Sequence, residues 1–171
     1  MQREIWNILE DERFLDNGEV IEDVQSAEMP TIEHPTTELG GAGMAGKIDM
    51  PDMSQVNALS ITLNHNNGRN GHLLRRAGVH HLEFRAAMQV MDVEKSIVGQ
   101  KMDKFRIDGL HKSSSVGTTE KGNPRSSTET YSVVRYEHER GGQIIDLIDI
   151  PKGIMIIGGV DVSSARKSLL D

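Results

Sequence analysis

The residues best spaced for chemistry lie between Gly40 and Asp49. Gly41, Gly43 and Gly46 spell G-x-G-x-x-G, and Gly41 to Lys47 spell G-x-x-x-x-G-K. Either spacing can cradle a phosphate if an apolar strand leads in and a helix N-terminus follows with its amides aimed at the anion. Neither condition holds. Thr36, Thr37, Glu38 and Leu39 lead in, not an apolar strand, and Ile48, Asp49, Met50 and Pro51 follow, a run that cannot open a helix. Ile48 stands where a P-loop has the hydroxyl that holds magnesium. The glycines are therefore read as a flexible turn whose backbone takes positive φ or lies close against another chain.

The remaining polar residues fare no better as catalysts or ligands. Of the seven histidines, His80 and His81 are adjacent, so on a strand they point to opposite faces and cannot share an ion. His65 and His72 are read as sitting in a polar loop (Asn64, Asn66, Asn67, Gly68) with no carboxylate close in sequence. Solvated or hydrogen-bonded histidines are expected, and no metal site. The serines at 113–115 and 126–127 sit in polar runs without a nucleophile elbow. Asp146 and Asp149 could act as acid and base, but in an Ile-rich run they are better read as salt-bridge partners across a strand or an interface. Trp6, Phe14, Phe84, Phe105, Tyr131 and Tyr136 are too few for base-stacking platforms. The absence of cysteine excludes disulfides and thiolate metal sites. No catalytic residue, cofactor or metal is expected.

The elements that would position these residues are mostly strands. Leu82, Phe84, Ala86, Met88 and Val90 alternate with His81, Glu83, Arg85, Ala87 and Gln89, which predicts a strand over 78–92 with one buried face. Leu59, Ile61 and Leu63 alternate in the same way. Phe105 and Ile107 mark another strand, Tyr131 to Glu137 is β-prone, and 143–150 and 154–157 read as a buried pair broken at Pro151-Lys152-Gly153. Helix is confined to a short piece near 70–77 and to the C-terminus, where Asp161 is a plausible N-cap. The pattern predicts one antiparallel β domain over 1–171, a sandwich or barrel. Two stretches are unlike a small core: 25–55, with Pro30, Pro35, Pro51 and the glycines, and a polar loop at 112–128. Thr31, Glu33 and Thr36 with Gly46, Lys47, Ile48 and Asp49 are expected to form the arms of a protruding hairpin at about 27–50. A lone two-stranded hairpin is marginal in water, so a neighbouring subunit should supply its burial.

Charge is uneven. The net is −7, and residues 1–39 hold eleven acids against two bases, Arg3 and Arg13. That balance does not suit a simple nucleic-acid binder, which needs a basic surface. Glu4, Glu10, Asp11 and Glu12 interrupt anything like a signal peptide, and no apolar run approaches the roughly 20 residues of a membrane span. No membrane insertion is expected.

At 38–50 and 143–171 the sequence resembles the major tail tube proteins of contractile-tailed phages and phage-tail-like bacteriocins. The resemblance rests on Gly40-Gly41-Ala42-Gly43-Met44-Ala45-Gly46-Lys47-Ile48-Asp49, on Ile145-Asp146-Leu147-Ile148-Asp149-Ile150, and on Gly159-Val160-Asp161 before a terminal helix bearing Arg166. Gly158 stands where that family commonly has Asn. The resemblance implies a structural, non-enzymatic subunit with a sandwich or barrel-like tail-tube fold. It implies hexameric rings that stack into a hollow conduit for DNA or an effector. The implied partners are the subunit itself, sheath, baseplate and tape-measure proteins, in a virion tail or secreted particle assembled in the bacterial host cytoplasm. The hairpin residues expected at contacts between subunits are Glu38, Gly40, Gly41, Gly43, Gly46, Lys47 and Asp49. An acidic surface facing the lumen would keep DNA moving. The alternative is a monomeric or dimeric β-sandwich that recognises a ligand with the loops at 40–46 and 112–128.

Overall fold

The computed structural model describes residues 4–66 and 69–170; Arg3, Asn67 and Gly68 lie outside them. The chain is almost wholly antiparallel β. In order it runs β1 (Glu4–Asp16), β2 (Glu19–Val20), β3 (Val24–Glu28), β4 (Thr36–Leu39), β5 (Ile48–Pro51) and β6 (Ser60–His65), then a short 3-10 helix (Gly71–Arg75). β7 (Val79–Asp92), β8 (Ile97–Ser115), β9 (Ser127–Arg140), β10 (Gln143–Asp149), β11 (Ile154–Ile157), β12 (Val160–Asp161) and helix α1 (Val162–Ser168) follow. Ten strands share one sheet, and β4 and β5 pair apart from it.

The sheet forks at β9. One edge of β9 pairs with β8 along most of its length. On the other edge, 127–132 pairs with β6 and 135–140 pairs with β10. Val133 N donates to Leu59 O at 2.9 Å and Ile150 N to Val134 O at 3.1 Å, so the two branches part between these residues. One branch continues to β3, the other to β11 and β12. The branches let the sheet fold over a single core, in which Leu59, Ile61 and Leu63 meet Leu82, Phe84, Ile107 and Tyr131. The alternation read from 78–92 holds toward its ends: His80, Leu82, Phe84 and Val90 are buried and Val79, His81 and Arg85 exposed, while Ala86 to Gln89 are all half-buried.

Several elements differ from the sequence expectation. β1 is a long strand that its composition hides, because its alternation is reset by two register shifts, between Trp6 and Ile8 and between Leu9 and Asp11. The strand around Phe105 and Ile107 extends to 19 residues. Ser113 to Ser115 and Ser127 to Thr128 belong to β8 and β9, so the polar loop at 112–128 is confined to 116–126. Ala27 and Glu28 pair with β6, and Thr31 and Glu33 lie outside β4, which leaves the hairpin strands at 36–39 and 48–51. The short helix is 3-10 in form and places Leu73 and Leu74 in the core. At the C-terminus Asp161 caps α1, accepting from the amides of Ser163 and Ser164 at 2.9 Å each.

Candidate functional site

The hairpin is the part of the fold that the core does not use. Thr36 opposes Pro51, Thr37 opposes Met50, Glu38 opposes Asp49 and Leu39 opposes Ile48. Every residue from 36 to 51 is exposed. Its base, by contrast, is tied down. Asp52 N donates to Pro35 O at 2.7 Å, Asn57 N to Glu33 O at 2.8 Å, and His34 Nδ1 to Gln55 O at 2.7 Å. Arg166 of α1 donates to Ser54 O at 2.8 Å, so the terminal helix braces the turn that follows the hairpin.

All seven residues expected at subunit contacts fall on this hairpin. Glu38 and Asp49 share one face, and Lys47 pairs with Glu38 on that side. Gly40, Gly41, Gly43 and Gly46 make the tip, where Gly43 has φ +91° and Met44 N donates to Gly41 O at 3.1 Å. A phosphate cradle needs a helix N-terminus, and this tip leads into a strand instead. The sequence reading missed the opposite face. Leu39, Ile48 and Met50 are 45%, 53% and 51% exposed, three large apolar side chains displayed on a two-stranded ribbon. Their signal is present in the sequence as an alternation, Leu39 after Glu38 and Ile48-Asp49-Met50.

The polar residues inside the body serve the fold. His80 Nδ1 lies 2.8 Å from Asp16 Oδ2, and His80 Nε2 lies 2.6 Å from the Arg76 carbonyl. A carbonyl only accepts, so Nε2 carries a proton and both ring nitrogens are occupied. Burial pushes the Asp16 carboxyl up, and His80 partly offsets it. His81, on the other face, meets Asp108 at 2.6 Å. Glu129 is fully buried yet accepts from Arg75 Nε at 2.9 Å, Ser114 Oγ at 2.9 Å and His111 Nε2 at 2.9 Å. His65 sits 3.5 Å from the same carboxylate, so the missing partner is 64 residues away in sequence. His138 bridges Asp103 at 2.6 Å and Asp146 at 3.6 Å and stacks on Phe105. Asp149 meets Arg135 and Lys152, the salt-bridge role expected of it. A general base must reach its substrate, and these buried groups are turned inward and engaged. Burial, with Asp146 and Asp103 nearby, pushes the Tyr136 hydroxyl up to about 12.

The outward face of the β7–β8–β9 ladder is a lattice of ion pairs, with Glu83 beside Lys104 at 3.3 Å and Arg106 beside Glu137 and Glu139. Among the acids of the first 39 residues, Asp16 is buried, Glu4 meets Lys101, and Glu38 meets Lys47. The arrangement offers exposed strand, ribbon and charge to another protein surface and no enclosed reaction chamber among the described residues.

Two solved chains of this architecture come from an extracellular contractile injection system. The first, in a PVC sheath-tube complex in the extended state, is 13% identical with a TM-score of 0.53, over 75% of this chain and 88% of that one. The second, in the PVC sheath/tube terminator in the extended state, is 12% identical with a TM-score of 0.54, over 78% of this chain and 96% of that one. At such identities the likeness is one of fold. No curated protein matches the sequence. The family model for phage tail tube protein FII matches residues 7–170, nearly the whole chain. The chain therefore belongs to the phage tail tube protein FII family and is a structural tail tube subunit, not an enzyme.

Proposed function

We propose that copies of this subunit form six-membered rings that stack into the hollow inner tube of a contractile tail, through which DNA or an effector passes. The observation that carries the reading is the free-standing hairpin. An amphipathic ribbon with every residue exposed is not stable on its own terms, and a neighbouring subunit supplies the burial it lacks. Leu39, Ile48 and Met50 would face that neighbour, with Glu38, Lys47 and Asp49 at the margin and the glycine tip allowing close approach. The sheath-tube complex that holds a chain of this fold supports a contractile sheath as the outer partner. Baseplate and tape-measure proteins would set where the tube begins and how long it grows, in a virion tail or secreted particle built in the host cytoplasm.

Negative-stain electron microscopy of the purified protein tests this. Rings or tubes with a central hole are expected, alone or when baseplate components nucleate them. A uniform monomer at high concentration that stays unassembled with those components would overturn the reading.

A further inference from the structure

The end of β1, the start of β7 and the end of the 3-10 helix meet at one buried contact. Asp16 and His80 are 4% and 1% exposed. Both ring nitrogens of His80 face an oxygen: Nδ1 lies 2.8 Å from Asp16 Oδ2, and Nε2 lies 2.6 Å from the Arg76 carbonyl. The carbonyl fixes Nε2 as a donor. A single proton then joins Nδ1 to Asp16 Oδ2. It sits either on the ring, giving an imidazolium and a carboxylate, or on the carboxyl, giving a neutral pair.

The surroundings decide between the two. Asp16 Oδ1 is buried and has no hydrogen-bond donor among the described residues. A carboxylate there would leave one charged oxygen bare, which costs far more than the carbonyl oxygen of a neutral acid. The charged groups of the neighbouring elements are engaged or turned away. On β8, the His111 ring lies 6.3 Å from that of His80 and bonds Glu129. On β9, Tyr131 sets its ring edge-on at 5.0 Å and donates its hydroxyl proton to Leu74 O at 2.6 Å. Glu129, also on β9, is paired with Arg75. His81 lies on the opposite face with Asp108, and Arg76 is exposed. Among the described residues His80 is the only ion-pair partner within reach of Asp16. Burial outweighs the attraction of His80, His81 and Arg76 and lifts the Asp16 carboxyl above its ordinary value.

We infer that Asp16 is a neutral acid in the folded subunit, donating from Oδ2 to a His80 that carries its own proton on Nε2. The pair is a clasp that keeps the same protons across the range in which free histidine changes charge. Tyr131 completes it, since burial pushes its hydroxyl up and keeps it a donor. The 3-10 helix is thus fastened by two buried donors, at Leu74 O and Arg76 O, neither of which depends on a charge. They seat the segment that places Leu73 and Leu74 in the core.

Imidazole nitrogen NMR on the unassembled full-length subunit tests this. At pH 7 His80 should show one protonated and one bare ring nitrogen, with the proton on Nε2. The pattern should persist down to pH 5, a range over which free histidine changes charge. Two protonated nitrogens at pH 7 would mean an ion pair and overturn the assignment, as would a second proton gained before pH 5. Asp16→Asn gives an independent measurement. An amide can donate to Nδ1 as the acid does, so the variant should fold and keep the same His80 tautomer. In wild type the folded state holds a proton that the unfolded carboxyl releases above about pH 4. Stability from this group therefore grows as pH falls toward that value. The folding constant of wild type relative to Asp16→Asn should rise about tenfold per pH unit on going from pH 7 to pH 5. A ratio that does not change with pH would overturn the clasp. If Asp16→Asn fails to fold, the wild-type spectrum alone decides.

Discussion

Glu129 has no exposed surface, yet it sits among donors that favour its charged form. Burial alone would raise its pKa; hydrogen bonds from His111, Ser114 and Arg75 outweigh that and hold it below the ordinary value of 4.5. A carboxylate depressed in the folded state stabilises above its unfolded pKa, and that contribution is lost as pH falls through the folded value. Glu129→Gln should therefore cost about 3 kcal/mol at pH 7, because it leaves Arg75 partly buried beside a neutral amide. It should also flatten the acid side of the stability curve. Denaturant midpoints for both proteins at pH 7 and pH 4 check this, and parallel curves would count against it. None of this was legible in the sequence, where His65 and Glu129 are far apart. The opposition of His80 and His81 was legible, because adjacency on a strand sends them to opposite faces; the structure buries His80 and exposes His81.

At the scale of elements, the strands that face the core could be read and the strands that leave it could not. Residues 78–92 show period two because Leu82 and Phe84 meet the core and Val90 is also buried on that side. The start of β8 shows none: 97–102 is exposed throughout, so no burial selects which side chains are apolar. β1 adds bulges, which move its apolar residues out of strict alternation. The hairpin is expected as an excursion from its prolines, glycines and polar residues, and the exposed apolar face of Leu39, Ile48 and Met50 forms no part of that expectation. Its exposure leads to a sharp expectation. Replacing all three with Ser should leave the subunit's denaturation midpoint within about 0.5 kcal/mol of wild type, as for surface changes away from the core. The same variant should no longer form tubes by electron microscopy. Loss of subunit stability with assembly intact would place the hairpin in the fold and not in the contact.

The whole molecule joins a core sufficient for its own folding to surfaces that it cannot satisfy by itself. The core draws on β1, β6, β7, β8, β9, β10, β11 and the short helix; the hairpin lies outside it. Binding that occurs only in the folded state raises apparent stability by mass action, so an assembling subunit should melt at a temperature that rises with protein concentration. Deleting 40–46 removes the hairpin tip while leaving every core residue in place. The shortened protein should be folded by circular dichroism and should melt at one temperature across a hundredfold concentration range. That temperature should match wild type at its most dilute. Wild type should then climb away from it as tubes form in the same series. If the shortened protein melts below dilute wild type, the segment contributes to the subunit's own stability. If wild type shows no climb although tubes are visible, contacts between copies add little, and the burial assigned to the neighbouring subunit must be sought elsewhere.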